Sequence, residues 1–136
     1  MSKHKLIVFG TAEMAEMASF YFSNDSSHEV VGFTVDDEYV SESMFQNKPV
    51  IPFSEIKKKF DPKIYKMHVA LSYKNMNKIR EKKFHEVKDE GFELASYICS
   101  KIAMWPDLSY GENCFVLENQ TLQPGVKLGD NVMLWS

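Results

Sequence analysis

The sequence predicts an α/β chain: a parallel sheet with helices on both faces, followed by the start of a β-solenoid. Three observations carry this. Short apolar runs alternate with amphipathic stretches across the first hundred residues, the pattern of a strand, helix, strand chain. Val116, Leu122, Leu128 and Leu134 then recur at an interval of six, a period that neither a helix nor a flat sheet possesses. Finally, 136 residues with 44% apolar content, ten Phe and six Tyr among them, hold enough core for one ordinary domain.

Lys5-Leu6-Ile7-Val8-Phe9 reads as a strand buried on both faces and bounded by Gly10. Met14, Met17, Ala18 and Tyr21 follow at helical spacing, and the polar cluster from Ser23 to Ser27 ends that helix. Val30 to Val35, rich in β-branched residues, forms a second strand that runs into Asp36-Asp37. The stretch from Glu38 to Pro52 shows no period. Ser54 can cap a short helix through Phe60, which Asp61-Pro62 stops. Tyr65 to Leu71 is a third strand; Met76, Ile79, Phe84 and Val87 mark a longer helix that Gly91 terminates, with its Lys and Glu residues read as a solvated face. Leu94-Ala95-Ser96-Tyr97-Ile98 is expected to be a fourth strand of the same sheet.

In the tail, Gln120, Val126 and Val132 repeat at six in a second phase, and Pro124-Gly125 and Gly129-Asp130-Asn131 supply turn chemistry between the aliphatics. Residues 1–104 are therefore expected to form the sheet domain and 105–136 the first solenoid repeats.

The formal charge of -3, with both signs interspersed, gives no footprint for nucleic acid or an anionic membrane surface. The apolar run after Met1 ends at Gly10, too short for a signal peptide, and no segment reaches the roughly 20 apolar residues of a membrane span. The expected location is cytoplasmic. Cys99 and Cys114 fit no metal or redox spacing and are read as reduced, partly buried thiols.

In a doubly wound sheet, ligands sit beyond the carboxyl ends of the strands. Three segments meet there. Gly10, Thr11 and Ala12 open the first helix, whose N–H groups could hold a phosphate; a plain tight turn is the alternative, since GxAxxA departs from GxGxxG and Glu13 brings a negative charge. Asp36, with Asp37 beside it, follows Gly10 by 26 positions, near the roughly 20 at which an acid reaches a ribose hydroxyl; it reads equally as a solvated loop acid. Ser72 and Tyr73 end the third strand, where they could bound a nucleobase or simply cover the next helix. His4, His28, His68 and His85 pair with no nearby Ser or Cys; His68 reads as a satisfied sheet residue and the others as surface positions. No zinc spacing and no Walker lysine occur, so no catalytic or metal residue is assigned.

Ile7-Val8-Phe9-Gly10, Val35-Asp36-Asp37, Val69-Ala70-Leu71-Ser72 followed by Asn77-Lys78-Ile79-Arg80, Ala95-Ser96-Tyr97-Ile98 and the hexapeptides from Val116 together resemble the NeuD/PglD-type sugar O- and N-acyltransferases of the left-handed β-helix superfamily. The resemblance implies a Rossmann-like domain that binds a nucleotide-linked amino sugar, commonly through UDP, and a trimeric β-helix that binds acetyl-CoA between subunits. It puts Gly10, Thr11 and Ala12 against phosphate, Asp36 and Asp37 against the nucleoside, and Ser72 and Tyr73 on the far wall. The family's catalytic histidine belongs to later coils than those before Ser136, so this chain is expected to bind no cofactor itself, with acetyl-CoA the co-substrate of the full-length family. Many relatives carry Gly and His where Glu13 and Met14 stand, a departure that points to weaker phosphate contact or a different nucleotide sugar. A few repeats cannot cover their own faces, which sets trimerisation of this chain alone in doubt.

The expected function is thus the nucleotide-sugar-binding part of an acetyl-CoA-dependent sugar acyltransferase. A stand-alone nucleotide-sugar-binding module without chemistry is the alternative. A small NAD-dependent oxidoreductase rests only on the first crossover unit and conflicts with the hexapeptides.

Overall fold

The computed structural model describes residues 4–71 and 78–135. Strand β1 (His4–Phe9), helix α1 (Glu13–Asn24) and strand β2 (His28–Val35) follow the expected crossover, with β1 and β2 parallel. The stretch from Glu38 to Pro52 holds two further strands, β3 (Met44–Phe45) and β4 (Lys48–Pro52). Gln46 and Asn47, with φ of 51° and 63°, form the two-residue link of this hairpin. Its register sets Val50 beside Phe33, so β4 is a parallel sheet member despite its two prolines. A short helix α2 (Ile56–Lys59) leads to β5 (Lys66–Val69), and α3 (Lys78–Asp89) ends at Gly91, whose φ of +97° suits glycine.

The sheet order is β3-β4-β2-β1-β5, with β3 antiparallel at one edge. The pleat sorts β1 between two cores. Leu6 and Val8 join Ala15, Ala18 and Phe22 of α1 on one face; Ile7 and Phe9 join Ile56, Phe84 and Val87 on the other. Ser54 does not cap α2 as expected. Its hydroxyl donates instead to Asp37 Oδ2 at 2.5 Å.

The expected fourth strand is corrected. Ala95 N–H donates to Met67 O, and Leu94 makes a single bridge to Met67, after which the chain leaves the sheet. Tyr97–Ile98 (β6) opens a series with Ala103–Met104 (β7), Ser109–Tyr110 (β8), Phe115–Val116 (β9), Thr121–Leu122 (β10), Lys127–Leu128 (β11) and Met133–Leu134 (β12). Each starts six residues after the one before. Pairing is parallel and joins β6, β9 and β12, β7 with β10, and β8 with β11, so one coil takes three such steps. That is the geometry of the start of a β-helix. Its strand pairing begins at Tyr97, ahead of residue 105. Asn113, Asn119, Asn131 and Gly125 turn corners with positive φ, a conformation Asn and Gly tolerate best.

The solenoid docks on the α1 face of the sheet. Phe22, Tyr97, Phe115 and the His68 ring form one aromatic cluster. Around it, Tyr97 and Ser100 hydroxyls donate to Asp25, and Tyr21 Oη donates to Glu118 Oε1 at 2.9 Å. Those donors, Ser100 first, hold the Asp25 carboxyl below its ordinary range. Cys99 and Cys114 are free and fully buried.

Candidate functional site

At the carboxyl ends of β1, β2 and β5 the two crossovers diverge and leave a cleft of about 630 Å³. Three parts of the chain supply its lining.

The first is the turn from β1 into α1. Gly10 has φ +131°, and a Cβ there would stand 2.9 Å from the Ala70 carbonyl oxygen, so only glycine lets β1 and β5 close on each other. Its N–H donates to Thr34 O, which fixes the turn. Thr11, Ala12, Glu13 and Met14 then line the cleft. Ala12 stands at the N-cap with no side-chain cap. Uncapped N–H groups of a first turn and the positive end of the helix dipole attract an anion, against which Glu13 acts if it stays close.

The second part is Asp36 at the end of β2, with Tyr39 of the following 3₁₀ turn. The Lys83 ammonium donates to both Asp36 carboxylate oxygens, at 2.8 and 2.9 Å, and to Glu86 at 2.7 Å. It also lies 5.0 Å from the Phe9 ring centre and 5.4 Å from that of Phe53. Burial opposes the charge on Lys83, yet the bonds to Asp36 and Glu86 outweigh it and raise its pKa. Lys83 is nearly enclosed, with 9% of its side chain exposed, whereas Asp36 keeps 34%. The carboxylate is therefore fixed from behind and open in front, where it can accept from a hydroxyl or ring N–H.

The third part is Ala70 and Leu71 after β5, faced by Ile79 of α3. A smaller hollow of about 120 Å³ shares Thr11 and Tyr39 and extends toward Ser41 and Phe45.

Gly10, Thr11, Ala12 and Asp36 are thus brought together. Asp37 is not: its carboxylate turns to Ser54, whose hydroxyl and N–H hold its pKa low. Ser72 and Tyr73 lie outside the described residues. Sequence reasoning missed Lys83, placed among the solvated charges of its helix. It stands on the apolar stripe, four residues after Ile79 and four before Val87, and that position was the available signal.

None of the four histidines lines the cleft. His68 Nδ1 donates to Ala95 O inside the core, and burial pushes its pKa down to about 3. His28, read as a surface residue, has both ring nitrogens buried and without a hydrogen-bond partner among the described residues. No group of three or more His, Cys, Asp or Glu among the described residues could hold a metal, and no helix there is long and apolar enough to cross a membrane.

No family model matches the chain, and no curated protein does. Solved structures do. The acetyltransferase domain of PglB from Neisseria gonorrhoeae, determined with acetyl coenzyme A, superposes with a TM-score of 0.71 at 21% identity over 96% of this chain. A mutant of perosamine N-acetyltransferase from Caulobacter crescentus, in complex with CoA and GDP-perosamine, gives 0.77 at 17% identity over 97%. The same organism's PerB, with the same two molecules, gives 0.73 at 16% identity. The chain spans 61% of the length of the first and 60% of the other two. At these identities the likeness establishes a shared fold: a mixed α/β fold with a parallel sheet that runs into short parallel strands at the start of a β-helix.

Proposed function

We propose that this chain holds a nucleotide-linked sugar in the cleft between Gly10 and Lys83, and that it serves acetyl transfer from acetyl-CoA to an amine or hydroxyl of that sugar. The observation that carries the reading is the polarity of the cleft. One end offers the uncapped first turn of α1, suited to a diphosphate. The other offers Asp36, fixed by Lys83 and open in front, suited to hydroxyls of a nucleoside. The shared fold with proteins crystallised with CoA and GDP-perosamine supports it.

In this reading the residues before Tyr97 form a Rossmann-like binding domain, the coils from Tyr97 onward begin a left-handed β-helix, and a UDP-sugar is the first candidate, with a GDP-sugar the second. The whole protein is a cytoplasmic trimer. The chain's contribution is positioning: it holds the sugar so that its nitrogen or oxygen can attack the thioester carbonyl, the C–S bond breaks, and the departing thiolate takes up the proton lost by the nucleophile. Acetyl-CoA is not bound by these residues alone.

Calorimetric titration with UDP-N-acetylglucosamine, GDP-mannose, a TDP-sugar, NAD and acetyl-CoA tests this. One of the nucleotide sugars is expected to give saturable heat, and NAD and acetyl-CoA none. Binding of acetyl-CoA, or of NAD in preference to every nucleotide sugar, would overturn it. Lys83→Met should weaken the nucleotide sugar roughly tenfold by releasing Asp36, and Lys83→Arg should restore part of the loss. A binding module without chemistry would share these results and differ in showing no turnover by the whole protein.

A further inference from the structure

Arg80 is 1% exposed, and it is among the largest side chains fully enclosed in the molecule. Its guanidinium leaves α3 and enters the solenoid. Nη1 donates to the carbonyl of Asn131, and Nη2 donates to the carbonyl of Asn113 at 2.8 Å. These two asparagines occupy the same corner of successive coils, each with a left-handed φ, and Asn113 Nδ2 donates to Asn131 Oδ1 at 2.9 Å. Asn113 is itself fully buried, and its Oδ1 accepts the Val69 N–H at 2.8 Å.

Val69 ends β5, and the next two residues, Ala70 and Leu71, line the cleft. Ile79 and Lys83, on either side of Arg80 along α3, line it as well. Both segments of this wall are therefore tied to the same pair of asparagines. A buried cation is strongly unfavourable unless hydrogen bonds replace its water, so these carbonyls hold the first turn of α3 in one place. The planar guanidinium presents two separate N–H groups at fixed spacing to carbonyls in different coils, a geometry that the compact, rotatable donors of an ammonium match less well.

We infer that the solenoid sets this wall of the cleft through Arg80, which acts as a positioning residue for nucleotide-sugar binding without touching the ligand. The inference rests on the proposed reading of the cleft for its ligand, but not for the link itself. It makes the first two coils part of the binding site's architecture, so that the cleft is not the property of the sheet alone.

Two measurements on the full chain decide it. Hydrogen exchange on ligand-free protein reads the Val69 and Ala70 amides in Arg80→Lys and in Lys88→Ala, which breaks the exposed link from Lys88 on the same helix to Glu112. Arg80→Lys should speed both amides about tenfold relative to the parent, as a loss of roughly 1.4 kcal/mol of protection would, and Lys88→Ala should leave them unchanged. Calorimetry with UDP-N-acetylglucosamine and GDP-mannose should then show about tenfold weaker binding by Arg80→Lys and parental affinity for Lys88→Ala, whatever each does to the melting temperature. Arg80→Met, if it folds, should lose more than Arg80→Lys. Unchanged Val69 and Ala70 exchange in Arg80→Lys, or parental affinity there, would overturn the inference. If the parent binds neither sugar nucleotide, the reading of the cleft fails, and the exchange measurement still judges the link.

Discussion

The sheet and the solenoid bury similar aliphatic side chains by different means. In the sheet, Leu6, Ile7 and Val8 lose all contact with water because layers of helix or solenoid cover both faces. In the solenoid, burial comes from stacking along the axis. Val116, between Ile98 and Leu134 on the neighbouring coils, is fully buried, while Met104 and Tyr110, on the other two sides of the first coil and paired only with the second, remain 45% and 50% exposed. A layered core is bought once for the whole domain; a stacked core grows coil by coil and is only as good as its neighbours.

Substitutions should expose this difference. Phe22→Ala, at the junction of sheet, His68 and Tyr97, should cost about 3–5 kcal/mol in denaturant unfolding, because no layer can shift to fill the gap. A cost near that of a surface change would mean that the layered core is loose. Acid should act on the same region, where the His28 and His68 rings both pack against Phe22. Burial holds His68 neutral down to about 3 and lowers His28 as well, whereas both take up a proton near 6.5 when unfolded. Above that pH neither state is charged. As pH falls from 6.5 toward 3, His68 gains its proton only in the unfolded chain, so stability declines through that window, and the lowered pKa of His28 adds to the decline below 6.5. Urea melts at stepped pH would show the decline, and His68→Gln should make it shallower.

A smaller effect is expected where the layers open into the cleft. Gly10→Ala forces a left-handed backbone on a residue with a side chain and drives its Cβ against Ala70 O, so it should lower stability by about 1–3 kcal/mol and weaken ligand binding together. Loss of stability with unchanged affinity would separate the turn from the site. Smallest of all, Tyr110→Ala on the exposed first coil should change unfolding by less than about 0.5 kcal/mol. A large loss there would mean that the open coil contributes far more than its contacts suggest.

What could be read from sequence follows the same division. The first crossover was legible because a strand buried on both faces is a plain apolar run and its helix a plain stripe. β4 was not, because Pro49 and Pro52 interrupt the run, although pairing with Phe33 and Val35 survives them. The hexad was legible from Val116 onward. Carried backward in the same phase it meets Tyr110, Met104 and Ile98, which do belong to it, but an aromatic and a methionine hid the aliphatic signal and Tyr97–Ile98 passed for a sheet strand. At the site, turn and strand-end residues were found by their place in the crossover. Lys83 and Arg80 were not, because a cation buried for its hydrogen bonds has the same letter as one left in water.

The contacts between α1 and the solenoid bear on how the molecule is made. Tyr21 of α1 finds its partner in Glu118, 97 residues further along the chain. Asp25 likewise waits for Tyr97 and Ser100. During synthesis the N-terminal half leaves the ribosome with one flank of its first helix uncovered, and contacts of such long sequence separation form slowly. The interval between translation of Tyr21 and of Glu118 is when the nascent chain is most open to a chaperone or to a wrong neighbour, and it closes only as the second coil starts to wind back onto α1.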